Sequence, residues 1–392
     1  MKFLIFFFIP ILSLAQPKIT VNSNFENANG KLVYRNYQEN TMVVRPQLKN
    51  GDRIEIWFNA KVAGFKKDTL LTIKIPYLWP ALAPDPILVR DGEEWKRIAA
   101  TDHGFYKEYR LVPKGDTIQI ATGIPYTYTQ LNEYLDKIRQ HAFVETSVLT
   151  QTEKGREVPL VKITDPKSKK MKGSIFFTSR LHAFEPPASY FMEGLLTFIC
   201  GESAEAKYLR KHYVIYAVPM ADVDQVFEGG TGKDQLPMDF NRCWLENPPW
   251  NAVKAIQNLV VEMDEANPLT FFMDIHSPYP ISHISSHYYN NYSENSEKYN
   301  RVEDFFKSYS AMEGFDLVFE KGNKPAPGLR TIRTYVDNEL CKEENTPCFE
   351  NLLFSITYEQ SWQTKPDGTE FNIKEISKSA SNMGINIASF LQ

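Results

Sequence analysis

The chain has 392 residues, a formal net charge of −4 and 23% charged side chains. That length suits two domains, and the slight acidity argues against bulk binding of nucleic acid or of an anionic membrane surface. Beyond the N-terminus no segment approaches the ~20 apolar residues of a membrane span.

In chain order, Lys2 leads into an apolar run over 3–14, and Ser13 and Ala15 put small residues at the −3 and −1 positions of a cleavage site. This is the pattern of a secretory signal over residues 1–15. It predicts an exported protein, periplasmic or secreted. Across residues 16–125 short alternating runs recur at 18–21, 42–46, 53–58, 69–75, 108–112 and 117–121, separated by Gly, Asp and Lys turns. That pattern predicts an all-β sandwich domain.

From Tyr126 the period changes. Thr129 is placed to cap a helix from Gln130 to about Gln140, with Leu131, Leu135 and Ile138 on one face. Strands are then expected at 159–163, 174–179, 213–219, 270–276 and 352–359, and helices at 188–200, near 250–265, near 294–313 and at 373–391. This alternation predicts an α/β domain over 126–392, with a mixed central sheet flanked by helices. Residues 322–347 have little regular pattern and read as a long functional loop.

His182 and Glu185 stand three apart in the turn between the strand at 174–179 and the helix at 188–200, with Pro186 and Pro187 marking the helix start. His276 ends a later apolar strand. Two histidines and one carboxylate form a set that holds zinc with a fourth position open, which favours hydrolysis over scaffolding. A lone His-x-x-Glu arises by chance in roughly one such chain in three, so the pair by itself decides little. Asp274 leaves the same strand face as His276 and can orient its ring, or can serve a nearby helix start instead. His283 and His287 read as a polar loop or helix face. Glu359 ends a buried strand, where a carboxylate is costly unless paired or functional. Asn241 and Arg242, in the run Asp239-Phe240-Asn241-Arg242, offer donors that match a carboxylate, although a surface Arg–Asp pair is the common outcome. Four cysteines allow three pairings. Cys341 and Cys348 are close enough to bridge, Cys200 reads as a buried thiol, and Cys243 fits either state.

The order of these motifs resembles the zinc carboxypeptidase family. The passages are Ser-Arg-Leu-His182-Ala-Phe-Glu185-Pro-Pro, Asp-Phe-Asn241-Arg242, Asp-Ile-His276-Ser and Ile-Thr-Tyr-Glu359-Gln-Ser. Residues 22–27, the stretch Glu94-Trp95-Lys-Arg and the run 124–131 resemble the β-domain of the cytosolic-carboxypeptidase branch. The resemblance implies one zinc ion on His182, Glu185 and His276. It implies Glu359 as general base and then proton donor to the leaving amine. It implies Asn241 and Arg242 as anchors for the terminal carboxylate of a peptide or peptide-like substrate. A tyrosine that closes over substrate is also implied, with Tyr335 the nearest candidate.

One departure stands out. The family places an arginine before the Asn-Arg pair to polarise the scissile carbonyl, whereas residues 220–240 contain none. Lys233 can take that role as a point charge, or Arg330 or Arg333 can enter from a distance. Arg330, Arg333 and Lys324 would favour acidic C-terminal residues; Glu339, Glu343 and Glu344 would favour basic ones. The expected activity is removal of a C-terminal residue from a peptide. A deacylase or amidase acting on N-acyl amino acids or cell-wall peptides, and a catalytically impaired peptide-binding protein, remain as alternatives.

Overall fold

The computed structural model describes residues 18–77, 83–280, 285–289, 296–321, 329–337 and 349–392. The secretory signal, Cys341, Cys348, His283, Lys324, Glu339, Glu343 and Glu344 lie outside these residues.

Ten strands precede the first helix: β1 (Thr20–Asn22), β2 (Lys31–Asn36), β3 (Thr41–Arg45), β4 (Asn59–Ala63), β5 (Leu71–Pro76), β6 (Ile87–Arg90), β7 (Trp95–Ile98), β8 (Ala100–Asp102), β9 (Tyr106–Leu111) and β10 (Thr117–Ala121). They form two five-stranded sheets, ordered β1-β4-β10-β6-β7 and β2-β3-β5-β9-β8. Alternation in β5, where Leu71, Ile73 and Ile75 are buried, sends one face inward. There it meets Val62, Val89, Ile118 and Ile120 of the other sheet in one apolar cluster.

The run at 53–58, expected as a strand, is not one; β4 begins at Asn59. Its backbone is partnered by other means. Phe58 N donates to Thr122 Oγ1, whose hydroxyl donates to Ile56 O, and Trp57 Nε1 donates to Asn27 O. Its apolar side chains divide: Phe58 joins the core between the two sheets, while Ile56 and Trp57 cluster with Phe184 and Trp362.

Helix α1 (Tyr128–Ile138) follows. Its cap is Thr127, not Thr129: Thr127 and Gln130 form a reciprocal capping box. Thr129 instead binds Glu26 through its backbone N and hydroxyl. Leu131, Tyr134, Leu135 and Ile138 are buried, each contributing about 1.5–3 kcal/mol of hydrophobic stabilisation.

Then come β11 (Val144–Gln151), β12 (Glu157–Ile163), β13 (Gly173–Ser179), α2 (Pro186–Cys200), α3 (Ala204–His212), β14 (Tyr213–Val218), α4 (Val223–Glu228), α5 (Asn251–Ala266), β15 (Leu269–His276), β16 (Ser286–Tyr289), α6 (Glu297–Glu313), β17 (Val318–Lys321), α7 (Ile332–Val336), β18 (Ser355–Glu359) and α8 (Ile373–Phe390). The strands make one mixed sheet ordered β11-β12-β14-β13-β15-β18-β16-β17. Its centre, β14-β13-β15-β18, is parallel, and its strands are apolar and buried throughout, as both faces are covered. Helices α2, α3, α6 and α8 pack together, while α5 lies against β11, β13 and β15. The backbones of α2 and α8 come close where Gly194 faces Ala380 and where Gly384 faces the ring of Phe198. Helix α2 is buried nearly all round, the mark of a core helix. Among the described residues, no helix is long and apolar enough to cross a membrane.

Candidate metal centre and active site

Three parallel strands end side by side, and each delivers part of the site at its carboxyl end, where open α/β sheets build their sites. After β13 the chain turns at Arg180, which adopts φ 56°. This left-handed turn swings His182 and Glu185 back over the sheet edge. Glu185 occupies the cap position of α2, yet its carboxylate caps nothing there. Its Oε1 lies 2.9 Å from His182 Nδ1 and its Oε2 lies 2.8 Å from His276 Nδ1. Ser277 N also donates to Oε2. His276 is the last residue of β15.

The opposite nitrogens are fixed by carboxylates. His182 Nε2 is 3.0 Å from Asp239 Oδ1, and His276 Nε2 is 2.7 Å from Asp274 Oδ2. Asp274 is itself held by Thr178 Oγ1 at 2.8 Å. With a carboxylate on each Nε2, both Nδ1 atoms face one point, where a metal ion would displace their protons. One ligand atom from each of His182, Glu185 and His276 falls within 4.8 Å of the others, and all three residues are buried. The donor set therefore fits one zinc ion.

Electrostatics agree with that geometry. Burial pushes the Glu185 carboxyl up, but the two imidazoles outweigh it and hold it down at about 2. Burial likewise opposes the ionisation of Asp239, and His182, Lys233 and Arg242 overcome it, keeping the carboxyl well below the usual range. Arg180 is fully buried beneath the turn and donates to Ser189 Oγ and to Ala183 O. Burial lowers its pKa to about 10, against the pull of Glu185.

Glu359 ends β18 directly beside His276. Its Oε2 is shielded from solvent and has no hydrogen-bond partner. Burial raises its pKa to about 7, with His276 pulling the other way and Glu185 adding to the rise.

Two half-buried cations flank the triad, and neither makes an ion pair among the described residues. Lys233 Nζ lies 3.5 Å from His182 Nε2. Among the described residues, the Arg242 guanidinium donates to the carbonyl of Asn241, at 2.7 Å. Asn241 has different partners from those the resemblance implies. Its Oδ1 accepts from Ile332 N at 3.1 Å, and its Nδ2 lies 3.1 Å from His276 Nε2. Tyr335 lies in α7. It is 6% exposed, packed against Trp244 with the Arg330 guanidinium over its ring. Arg330 pairs through its backbone with the strand-like segment at Arg242–Trp244, and Arg333 is buried in α7. Of the three cations considered for the carbonyl, Lys233 has a side-chain contact with a residue of the triad, at His182 Nε2. Cys200 and Cys243 are both free and buried. His287 lies in β16, stacked on Phe306 away from the centre.

The role of Asp239 was not apparent from sequence. It precedes the Asn-Arg pair by two residues, and only the tertiary fold shows that it serves His182, 57 residues away.

A sequence model of the family described as zinc carboxypeptidase matches residues 131–251. Cytosolic carboxypeptidase 6 of Mus musculus is 27% identical over 357 residues, covering 82% of this chain and 65% of its own length. The Caenorhabditis elegans protein of that name is 28% identical, covering 67% of this chain and 63% of its own length. The chain thus spans somewhat less than two thirds of these relatives. Among solved structures, a metallo-carboxypeptidase from Burkholderia cenocepacia aligns over 95% of this chain and 99% of its own, with a TM-score of 0.80 at 17% identity. One from Pseudomonas aeruginosa, in complex with (2-guanidinoethylmercapto)succinic acid, aligns over 95% and 99%, with a TM-score of 0.77 at 19% identity. These two show the same fold. Residues 131–251 thus match the zinc carboxypeptidase family, and the chain has homologues among the cytosolic carboxypeptidases.

Proposed function

We propose that this chain is a zinc-dependent carboxypeptidase that hydrolyses the C-terminal amide bond of peptides. The observation that carries the reading is the meeting of a metal-ready His182–Glu185–His276 set with a solvent-shielded Glu359 oxygen and an Arg242 guanidinium that, among the described residues, have no hydrogen-bond partner and no carboxylate partner respectively. A bound zinc ion would supply Lewis acidity at the open position of the triad.

The protein's own groups account for the rest. Arg242 pairs with the substrate's terminal carboxylate and so selects the last amide bond. Glu359, placed at the end of β18, takes a proton from the attacking water and returns it to the departing amine. Lys233 stands where charge develops on the carbonyl oxygen, replacing the arginine that the chain lacks. Asn241 supports His276 and the start of α7 rather than contacting the substrate. Residues 16–125 form the β-sandwich domain and 126–392 the catalytic domain. The signal at 1–15 sends the protein to the periplasm or the exterior; Edman sequencing that begins at Met1 would refute export.

The direct test is hydrolysis of a peptide panel with free and amidated C-termini by the zinc-loaded protein. Release of the last residue from free carboxylates alone supports the proposal. Cleavage of N-acyl amino acids with inert peptides would instead establish the deacylase reading, and zinc binding without any turnover the binding-protein reading.

A further inference from the structure

Lys233 sits in a loop, residues 229–237, that is anchored to segment 51–54, between β3 and β4. Asp52, 5% exposed and lying just before β4, accepts from Thr231 N at 2.6 Å through Oδ2 and from Gly232 N at 2.9 Å through Oδ1. Thr231 Oγ1 donates to Ile54 O at 3.0 Å, and Leu236 N donates to Gly51 O at 3.0 Å. Segment 51–54 therefore grips the loop on both sides of Lys233.

The opposite side of the loop is pressed against the metal-ligand turn. Phe184 N donates to Thr231 O at 3.0 Å. Gly232 adopts φ +72°, and a Cβ there would lie 2.7 Å from Ala183 N. With Thr231 and Gly232 wedged between Asp52 and the His182–Glu185 turn, the backbone of the next residue has little freedom. The position of the Lys233 amine over His182 is set by a carboxylate from the other half of the chain.

We propose that Asp52 is a positioning residue for Lys233, so that the segment between β3 and β4 acts as a fixed strut for the cation beside the metal centre. Charge-assisted hydrogen bonds from two consecutive N–H groups to one carboxylate are strong and directional. An asparagine keeps one acceptor and turns an N–H₂ group toward the second donor, so the loop must shift to relieve the contact. A displacement of about 1 Å in a reacting group can cost on the order of 10²-fold in rate. The inference rests on the proposed role of Lys233 in catalysis.

The test is a double-mutant cycle on the full-length, zinc-loaded protein, following kcat, KM and zinc content with a furylacryloyl-capped dipeptide bearing a free carboxylate. Lys233→Met should lower kcat by about 10²-fold. Asp52→Asn should lower kcat by about 10- to 10²-fold with KM and zinc content little changed. The double variant should match Lys233→Met alone, since a strut has nothing to position once the amine is gone. Thr231→Val, which removes only the hydroxyl tie to Ile54, should show a smaller loss that also vanishes on the Lys233→Met background, and it decides the matter if Asp52→Asn does not fold. A double variant whose loss is the product of the two single losses overturns the positioning role alone. Lys233→Met with wild-type kcat overturns the role of Lys233, and the strut with it.

Discussion

Glu359 and His276 are direct register partners in the parallel pair β15–β18, each the last residue of its strand. A metal ligand and the proposed base thus leave the sheet at the same level, one strand spacing apart. Two rigid neighbours, rather than loops, set the spacing between metal and base.

Replacing Glu359 by Gln keeps shape and removes basicity. Turnover should fall by about 10²–10⁴-fold while zinc content stays at one ion per chain. Full activity in this variant, measured beside metal analysis, would exclude Glu359 as the base.

Acidity should matter in one direction. A base works ionised, and burial lifts Glu359 to about 7 in the metal-free protein. A bound cation draws that value down, so kcat/KM should fall as pH drops between about 7 and 5. The limb should disappear in no variant that keeps Glu359. A profile that instead rises toward acid pH would contradict the assignment.

Zinc should stabilise the fold through three ligands. At a zinc concentration 100 times Kd the gain is about 2.7 kcal/mol, readable as a rise in Tm. His182→Ala and His276→Ala should abolish that rise. Asp239→Asn and Asp274→Asn leave the ligands in place but loosen their rings, and should weaken zinc binding by about 10- to 100-fold in a chelator competition. Unchanged affinity in both would show that the Nε2 contacts orient nothing.

Arg242 should be felt in binding the substrate end. Arg242→Ala should reduce kcat/KM on free-carboxylate peptides by roughly 30- to 10³-fold, the value of losing one partner of a desolvated charge pair. Any slow cleavage of C-terminally amidated peptides should be unaffected. Equal losses on both substrates would place the arginine in a structural role.

Packing of α2 on α8 depends on small residues. A Cβ at Gly384 would come within 2.2 Å of the Phe198 ring. Gly384→Ala should destabilise by about 1–3 kcal/mol in urea unfolding, with activity per folded molecule unchanged.

What could be read in the residues before the fold was known follows a physical division. Strand ends were legible because buried apolar runs stop abruptly at a charged or metal-ligating residue, as at His276 and Glu359. Contacts that depend on distant segments were not. Asp239, Asn241 and Asp52 are ordinary loop residues until folding brings His182, His276 and Gly232 to them. The run at 53–58 misled because Ile56 and Trp57 serve the aromatic cluster around Phe184 instead of a sheet. The short strands β16 and β17 and the short helix α4 carry too few apolar residues to announce themselves. Tyr335, chosen by its distance from Glu359, turned out to be packed against Trp244.

Asp239 accepts from His182 Nε2, from Asn241 N and from Asp234 N. One side chain is thereby the common hinge pin of three tasks: orienting a ligand, starting the segment that carries Arg242 and closing the loop that carries Lys233. The separations of five residues back to Asp234 and two forward to Asn241 are consequently fixed lengths. Insertions in this stretch would be transmitted straight to the imidazole, so loops elsewhere on the rim are where specificity has room to vary.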